Sequence, residues 1–171
     1  IFANHIVSDG NYIFVGNEDV NGINKTGGGI TVSSDKGKTW NKLDNFNRPV
    51  TNMIIHNNKL FVASSDNYIY RTSNKGVTWE VDTTLIMPVD YFLSHNGNLF
   101  VAVNNTASIY LADYGLLMSS DDGVTWEKRS EGLYTINLKD IEVKDSKLFV
   151  LDDRSTVFES TNEGKEWTKS K

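Results

Sequence analysis

The chain has 171 residues, of which 39% are hydrophobic and 23% charged, and its net charge is −5. That composition supports a buried core and excludes a disordered chain. Cysteine is absent, so disulfides, thiolate metal sites and thiol nucleophiles are excluded. No apolar run reaches the ~20 residues that span a bilayer, and Lys and Arg are scattered rather than gathered into the stripe that nucleic-acid phosphates need.

The first stretch, about 1–44, has an apolar run from His5 to Val7 and a second, NYIFVG, at 11–16. A loop at about 17–28 (NEDVNGINKTGG) leads to a run from Gly29 to Val32, then to SSDKGKTW at 33–40. The second stretch, about 45–84, repeats the order: Met53 to Ile55, NKLFVA at 58–63, Tyr68 to Arg71, and TSNKGVTW at 72–79. The third, about 85–131, has Tyr91 to Leu93, NLFVAV at 98–103, a loop at about 104–115 (NNTASIYLADYG), Leu116 to Ser119, and SSDDGVTW at 119–126. The fourth, about 132–171, has Ile141 to Val143, KLFVLD at 147–152, Thr156 to Glu159, and STNEGKEW at 160–167.

Each stretch therefore reads as strand A, tight turn, strand B, loop, strand C, turn and a strand D opened by the Trp. No helical period interrupts them. Four strands every ~40–45 residues is the spacing of a propeller blade, and blades bury their faces only by stacking on neighbours. The expected fold is all-β: one β-propeller domain or segment over 1–171, built of four-stranded antiparallel blades. Three routes to a complete ring stay open: closure of these four blades, further blades outside this sequence, or a second copy.

The eight-residue phrase is Ser/Thr-x-Asp/Asn-x-Gly-x-Thr-Trp, with Glu166 replacing the Thr in the last copy. Its residues are Ser33, Asp35, Gly37, Thr39 and Trp40; Thr72, Asn74, Gly76, Thr78 and Trp79; Ser119, Asp121, Gly123, Thr125 and Trp126; Ser160, Asn162, Gly164 and Trp167. Asp and Asn close turns by accepting backbone N–H groups, and the glycines are expected at positive φ. Asn keeps the acceptor oxygen but loses the charge. A catalytic or metal site does not survive that exchange and a turn does, so the phrase is read as structural. Calcium needs about six to eight oxygens, and only SSDDGVTW offers adjacent carboxylates, Asp121 and Asp122. Neither metal nor cofactor is expected.

The phrase resembles the Asp-box, or bacterial neuraminidase repeat, and its four copies cover nearly the whole chain. The resemblance implies a β-propeller with the box between strands C and D at the blade rim. It says little of activity, because such boxes occur in sialidases, xyloglucan-cleaving hydrolases, sortilin-type receptors, photosystem II assembly factors and bacterial surface proteins. Sialidases use three arginines, a Tyr–Glu pair and an acid/base aspartate. Here the arginines are Arg48, Arg71, Arg129 and Arg154, with Arg71 on a strand C and Arg129 on a strand D, both toward a blade's outside.

The favoured function is a non-catalytic binding or scaffold module that takes a protein or glycan on the face shared by the D–A connections and B–C loops. The two long B–C loops supply the candidates Glu18, Asp19, Asn21, Asn104, Asn105, Tyr110, Asp113 and Tyr114, since Asn and Tyr suit adaptable polar recognition. The alternative is a glycoside hydrolase, nearer a xyloglucanase than a sialidase, using two carboxylates across a cleft. Its candidates are Asp90 and Asp140, each expected just before an inner strand, with Asp113, Asp152 and Asp153 read as solvated loop carboxylates. Ile1 is not an initiator Met, so the chain is expected to be processed or excised, with any targeting segment removed; the lack of cysteine is compatible with a bacterial extracytoplasmic or cytosolic protein, and an extracytoplasmic place (secreted, periplasmic or cell surface) is the expectation.

Overall fold

A computed structural model describes residues 2–18, 28–103, 115–133 and 137–170. They form four four-stranded antiparallel sheets and, among the described residues, no helix. The first sheet is β1 (Phe2–Asp9), β2 (Tyr12–Glu18), β3 (Gly29–Ser33) and β4 (Asn41–Lys42). The second is β5 (Val50–His56), β6 (Lys59–Ser64), β7 (Ile69–Thr72) and β8 (Glu80–Asp82). The third is β9 (Val89–His95), β10 (Asn98–Val103), β11 (Leu116–Ser119) and β12 (Glu127–Lys128). The fourth is β13 (Leu138–Lys144), β14 (Lys147–Asp152), β15 (Val157–Ser160) and β16 (Thr168–Lys169). Strands pair in chain order throughout, so each sheet is a meander of the blade type.

Local sequence explains the hairpins. In the last three sheets strands A and B meet through two-residue turns in which both central residues have positive φ: Asn57 and Asn58 (46° and 61°), Asn96 and Gly97 (50° and 76°), Asp145 and Ser146 (51° and 62°). That is the backbone twist favoured in a two-residue hairpin, and Asn, Asp and Gly tolerate it best. Every A–B pair also carries a bulge near the start of strand A, where Asn4, Thr51, Asp90 and Lys139 are the extra residues. The outermost strands are only two or three residues long, and both residues of β4, β12 and β16 are exposed. Such short edges offer little template for pairing with another chain. Each Trp precedes its outermost strand instead of opening it, because it belongs to the turn.

Contacts divide the chain into two compact units, Ile1–Pro88 and Val89–Lys171. In the first, Phe14, Ile30, Phe46, Val50, Met53, Leu60, Val62 and Tyr70 form the core between the first two sheets. Gly16 lies where an added Cβ would meet Val50 Cγ1 at 2.6 Å, so the two sheets approach too closely for any side chain there. In the second unit, Phe100, Leu116, Met118, Leu138, Ile141, Leu148, Val150, Phe158 and Trp167 do the same between the last two sheets. The strand-B phenylalanines Phe14, Phe61 and Phe100 are fully buried, whereas Phe149 is half-buried.

Candidate functional site

The four boxes share one hydrogen-bond plan. The opening hydroxyl (Ser33, Thr72, Ser119, Ser160) donates to the Asp or Asn two residues on, at 2.8–2.9 Å, and accepts the glycine N–H at 2.7–3.0 Å. The same Asp or Asn oxygen accepts the N–H of residue seven at 2.8–3.0 Å. Beyond that the side chains diverge. Asp35 and Asp121 accept the Thr39 and Thr125 hydroxyls at 2.7 and 2.6 Å. Asn74 instead donates its amide to Thr78 Oγ1 at 2.8 Å, and Asn162 donates to the Glu166 carboxylate at 3.3 Å. Asp35 is held at about 2, chiefly by the Thr39 N–H and then its hydroxyl. Asp121 also lies at about 2, chiefly through the Thr125 hydroxyl and then its N–H. A carboxylate stabilised in its charged form makes a poor proton donor or acceptor near neutrality, and both oxygens of Asp35 and of Asp121 are spent on their own turns.

The D–A and B–C edge of the first unit holds a different constellation. Arg48 donates Nε–H to Asp66 Oδ2 at 2.9 Å, and its guanidinium lies 4.8 Å from the Tyr70 ring centroid. Tyr70 donates its hydroxyl to the same Asp66 oxygen at 2.7 Å, while Asp66 Oδ1 accepts the Tyr68 N–H at 3.3 Å. The Ser65 N–H donates to Pro49 O at 3.2 Å, which fixes the B–C turn against the D–A connection. Burial, and then the bond to Asp66, pushes the Tyr70 phenol to about 12. Arg48 is thus clamped from one side and one face, with half of its side chain still exposed. A guanidinium held this way presents its remaining N–H groups to a carboxylate or another planar acceptor.

In the second unit Asp90 and Asp140 both act on Tyr91. Burial raises the Tyr91 phenol first, and the charges of Asp90 and Asp140 raise it further. Both carboxylates lie inside strands rather than before them, because β9 starts at Val89 and β13 at Leu138. They are not equivalent: Asp90 is the bulged residue, while Asp140 faces Leu151 across the ladder as Tyr91 faces Ala102. Asp140 is exposed and accepts the N–H of Ile141 at 2.9 Å. Asp152, expected to be solvated, is buried and caps its own B–C turn by accepting the Arg154 and Thr156 N–H groups at 3.0 and 2.6 Å. Asp153 is exposed and accepts the Asn137 amide at 2.8 Å.

Of the residues expected to bind, Glu18 is the exposed last residue of β2, opposite Phe2. Asp19, Asn21, Asn104, Asn105, Tyr110, Asp113 and Tyr114 lie outside the described residues. Two further arginines are paired within their own sheets or beside them: Arg71 with Glu80 at 2.7 Å and Arg129 with Glu127 at 2.6 Å. Sequence reasoning missed Asp66 and Tyr70. Their signal was the Asp66–Asn67 pair before a strand, since Asp66 closes the B–C turn by accepting the Tyr68 N–H. Among the described residues, no group of three or more His, Asp or Glu side chains could hold a metal ion.

The sequence pattern of the BNR repeat-like domain matches residues 4–171. The chain belongs to that family. No curated protein sequence matches it. Among solved structures, YCF48 bound to D1 peptide matches with a TM-score of 0.67 at 11% identity, over 97% of this chain and 52% of that one. YCF48 from Cyanidioschyzon merolae matches at 0.60 and 11%, over 93% and 52%. The Niastella koreensis GH74 enzyme matches at 0.64 and 16%, over 93% of this chain and 23% of its own. The BNR repeat-like chain thus has the β-propeller fold and spans about half the length of YCF48 and a smaller part of the GH74 enzyme.

Proposed function

We propose that this BNR repeat-like chain is a non-catalytic binding module that takes a protein or glycan on the edge formed by its D–A connections and B–C loops. The clamped Arg48 carries the reading: Asp66 and Tyr70 hold it in place before any ligand arrives, and such pre-organisation lowers the entropic cost of recognition. The match to YCF48 in a peptide-bound state supports a polypeptide ligand. The long B–C loops at 17–28 and 104–115 would add the adaptable contacts. Retention of the chain on immobilised peptides and glycans tests this: Arg48→Ala and shortening of both loops should each abolish retention while thermal unfolding stays cooperative. Retention unchanged in both variants sinks the assignment.

A second reading, a glycoside hydrolase fragment of xyloglucanase type, is favoured by the two carboxylates that bracket Tyr91 and by the match to a GH74 enzyme. It needs a second wall across a cleft, and Asp140 is turned to open water. An extracytoplasmic location remains part of the proposal.

A further inference from the structure

Within each unit, one blade is fastened to the next through the same two positions. Lys75, the fourth residue of the second box, makes an ion pair with Asp9, the last residue of β1, and sits 5.5 Å from the Tyr12 ring centroid. Glu163, the fourth residue of the last box, lies 3.6 Å from His95 Nε2, the last residue of β9, and accepts the Asn96 amide at 2.7 Å. Both box residues have positive φ, 61° and 57°, which turns the side chain out of the box toward the preceding blade. The acid changes sides between the two joints: Asp9 on strand A answers Lys75 in one, and Glu163 in the box answers the Asn96 amide in the other. The box Trp closes the same joint. The Trp79 ring lies 4.6 Å from that of Phe46, tilted by 43°, and Trp167 donates Nε1–H to Arg129 O at 2.8 Å.

The first blade carries the same equipment on its outward face. Lys36 has φ 62° and is exposed. Trp40 is 42% exposed and turns its Nε1–H back to Gly37 O at 3.1 Å within its own box. Ile6 is 68% exposed, with Ile13 and Val15 half-buried beside it. The ladder positions of these three are Met53, Leu60 and Val62 in the second blade and Ile141, Leu148 and Val150 in the fourth, all at most 5% exposed.

We propose that this face docks a further Asp-box blade whose strand A ends in Asp or Glu and carries an aliphatic residue two positions earlier. The acid would answer Lys36 as Asp9 answers Lys75, and the aliphatic residue would pack as Val7 and Leu93 pack inside the two units. The fourth blade of a second copy does not meet the description. It has Lys144 at the position of Asp9, Glu142 at that of Val7 and Glu159 at that of Val32. Asp145, at the position of Asn96, is flanked by Lys144 and by Lys147, which is paired with Glu159 at 3.5 Å. Docking there would set Lys144 against Lys36 and desolvate Glu142 against apolar side chains, a cost that burial of the patch does not offset.

The test extends the full chain at its N-terminus with a second copy of residues 2–44, the probe blade. That blade ends its strand A in the copied Asp9 and carries the copied Val7. With 5-fluorotryptophan incorporated, the solvent isotope shift of the Trp40 resonance, identified by Trp40→Phe, reports its exposure, and the other fluorotryptophan resonances report folding. The shift should fall to that of buried Trp167 in the extended chain. It should return with Asp9→Lys in the probe blade and fall again when Lys36→Asp is added. Trp40 staying as exposed as in the parent overturns the docking face, and indifference to Asp9→Lys overturns the charge rule. A parent chain that dimerises through Trp40, with the dimer dissolved by Trp40→Arg, overturns the exclusion of a second copy.

Discussion

Asn162 donates its amide to the Glu166 carboxylate at 3.3 Å, across the same gap where Asp35 and Asp121 accept a threonine hydroxyl. Donor and acceptor have changed sides together, so the fourth box keeps its cross-link although Glu166 stands where the pattern has Thr. Asn162→Asp would face one carboxylate with another. The expected loss is about 0.5–1 kcal/mol, read as a lower urea midpoint at unchanged slope. Adding Glu166→Thr rebuilds the first box's arrangement and should restore the midpoint. A neutral Asn162→Asp would show that the cross-link contributes nothing.

Acid should act through two boxes and spare the other two. Asp35 and Asp121 fall from an ordinary 3.8 to about 2 in the folded chain. A depressed folded value means that their stabilisation is fully present above pH 3.8 and is lost as pH falls through about 2. The double variant Asp35→Asn, Asp121→Asn copies the second and fourth boxes and should flatten stability across that window. Denaturant midpoints measured at several pH values check it; an unchanged slope contradicts the box as a charged cap.

The strand-B phenylalanines should differ in cost. Phe100 is fully buried between the third and fourth sheets, and Phe100→Ala is expected to cost about 3–5 kcal/mol. Phe149 is half-buried, and Phe149→Ala should cost about 1–2 kcal/mol. Equal losses in denaturant unfolding would mean that Phe149 is covered in solution.

The Arg48–Asp66–Tyr70 clamp predicts a titration. Tyr70 is raised to about 12 first by burial and then by Asp66. Removing the carboxylate with Asp66→Asn lowers the cost of forming a phenolate, so the Tyr70 ring should begin to ionise at lower pH. Carbon-13 shifts of labelled tyrosine, with Tyr70→Phe as the assignment control, would show it by about pH 11. An unshifted curve would leave burial as the whole cause and the clamp without electrostatic weight.

The blade meander was legible because it is written in local signals: Asn–Gly-type turns, a recurring Phe, and a phrase ending in Trp. The Asp-to-Asn exchanges marked the phrase as a turn for the same reason. Other features left no local trace. The fourth box position is Lys36, Lys75, Asp122 or Glu163, all at positive φ, and no shared residue type announces a backbone state that the flanking hydrogen bonds impose. The bulge that moved Asp90 into a strand falls on Asn4, Thr51, Asp90 and Lys139, which share no chemistry. Arg48 and Asp66 meet because a D–A connection lies against a B–C turn, and Lys75 reaches Asp9 across a blade joint. Such pairings depend on how blades stack, which periodicity within one blade does not encode.

Binding and hydrolysis are separated most directly by one measurement: retention of the chain on immobilised peptides and glycans, with new reducing ends counted in the same wells. The binding account predicts retention that Arg48→Ala abolishes and no new reducing ends. New reducing ends that persist in Arg48→Ala and vanish in Asp140→Asn or Asp90→Asn would contradict it.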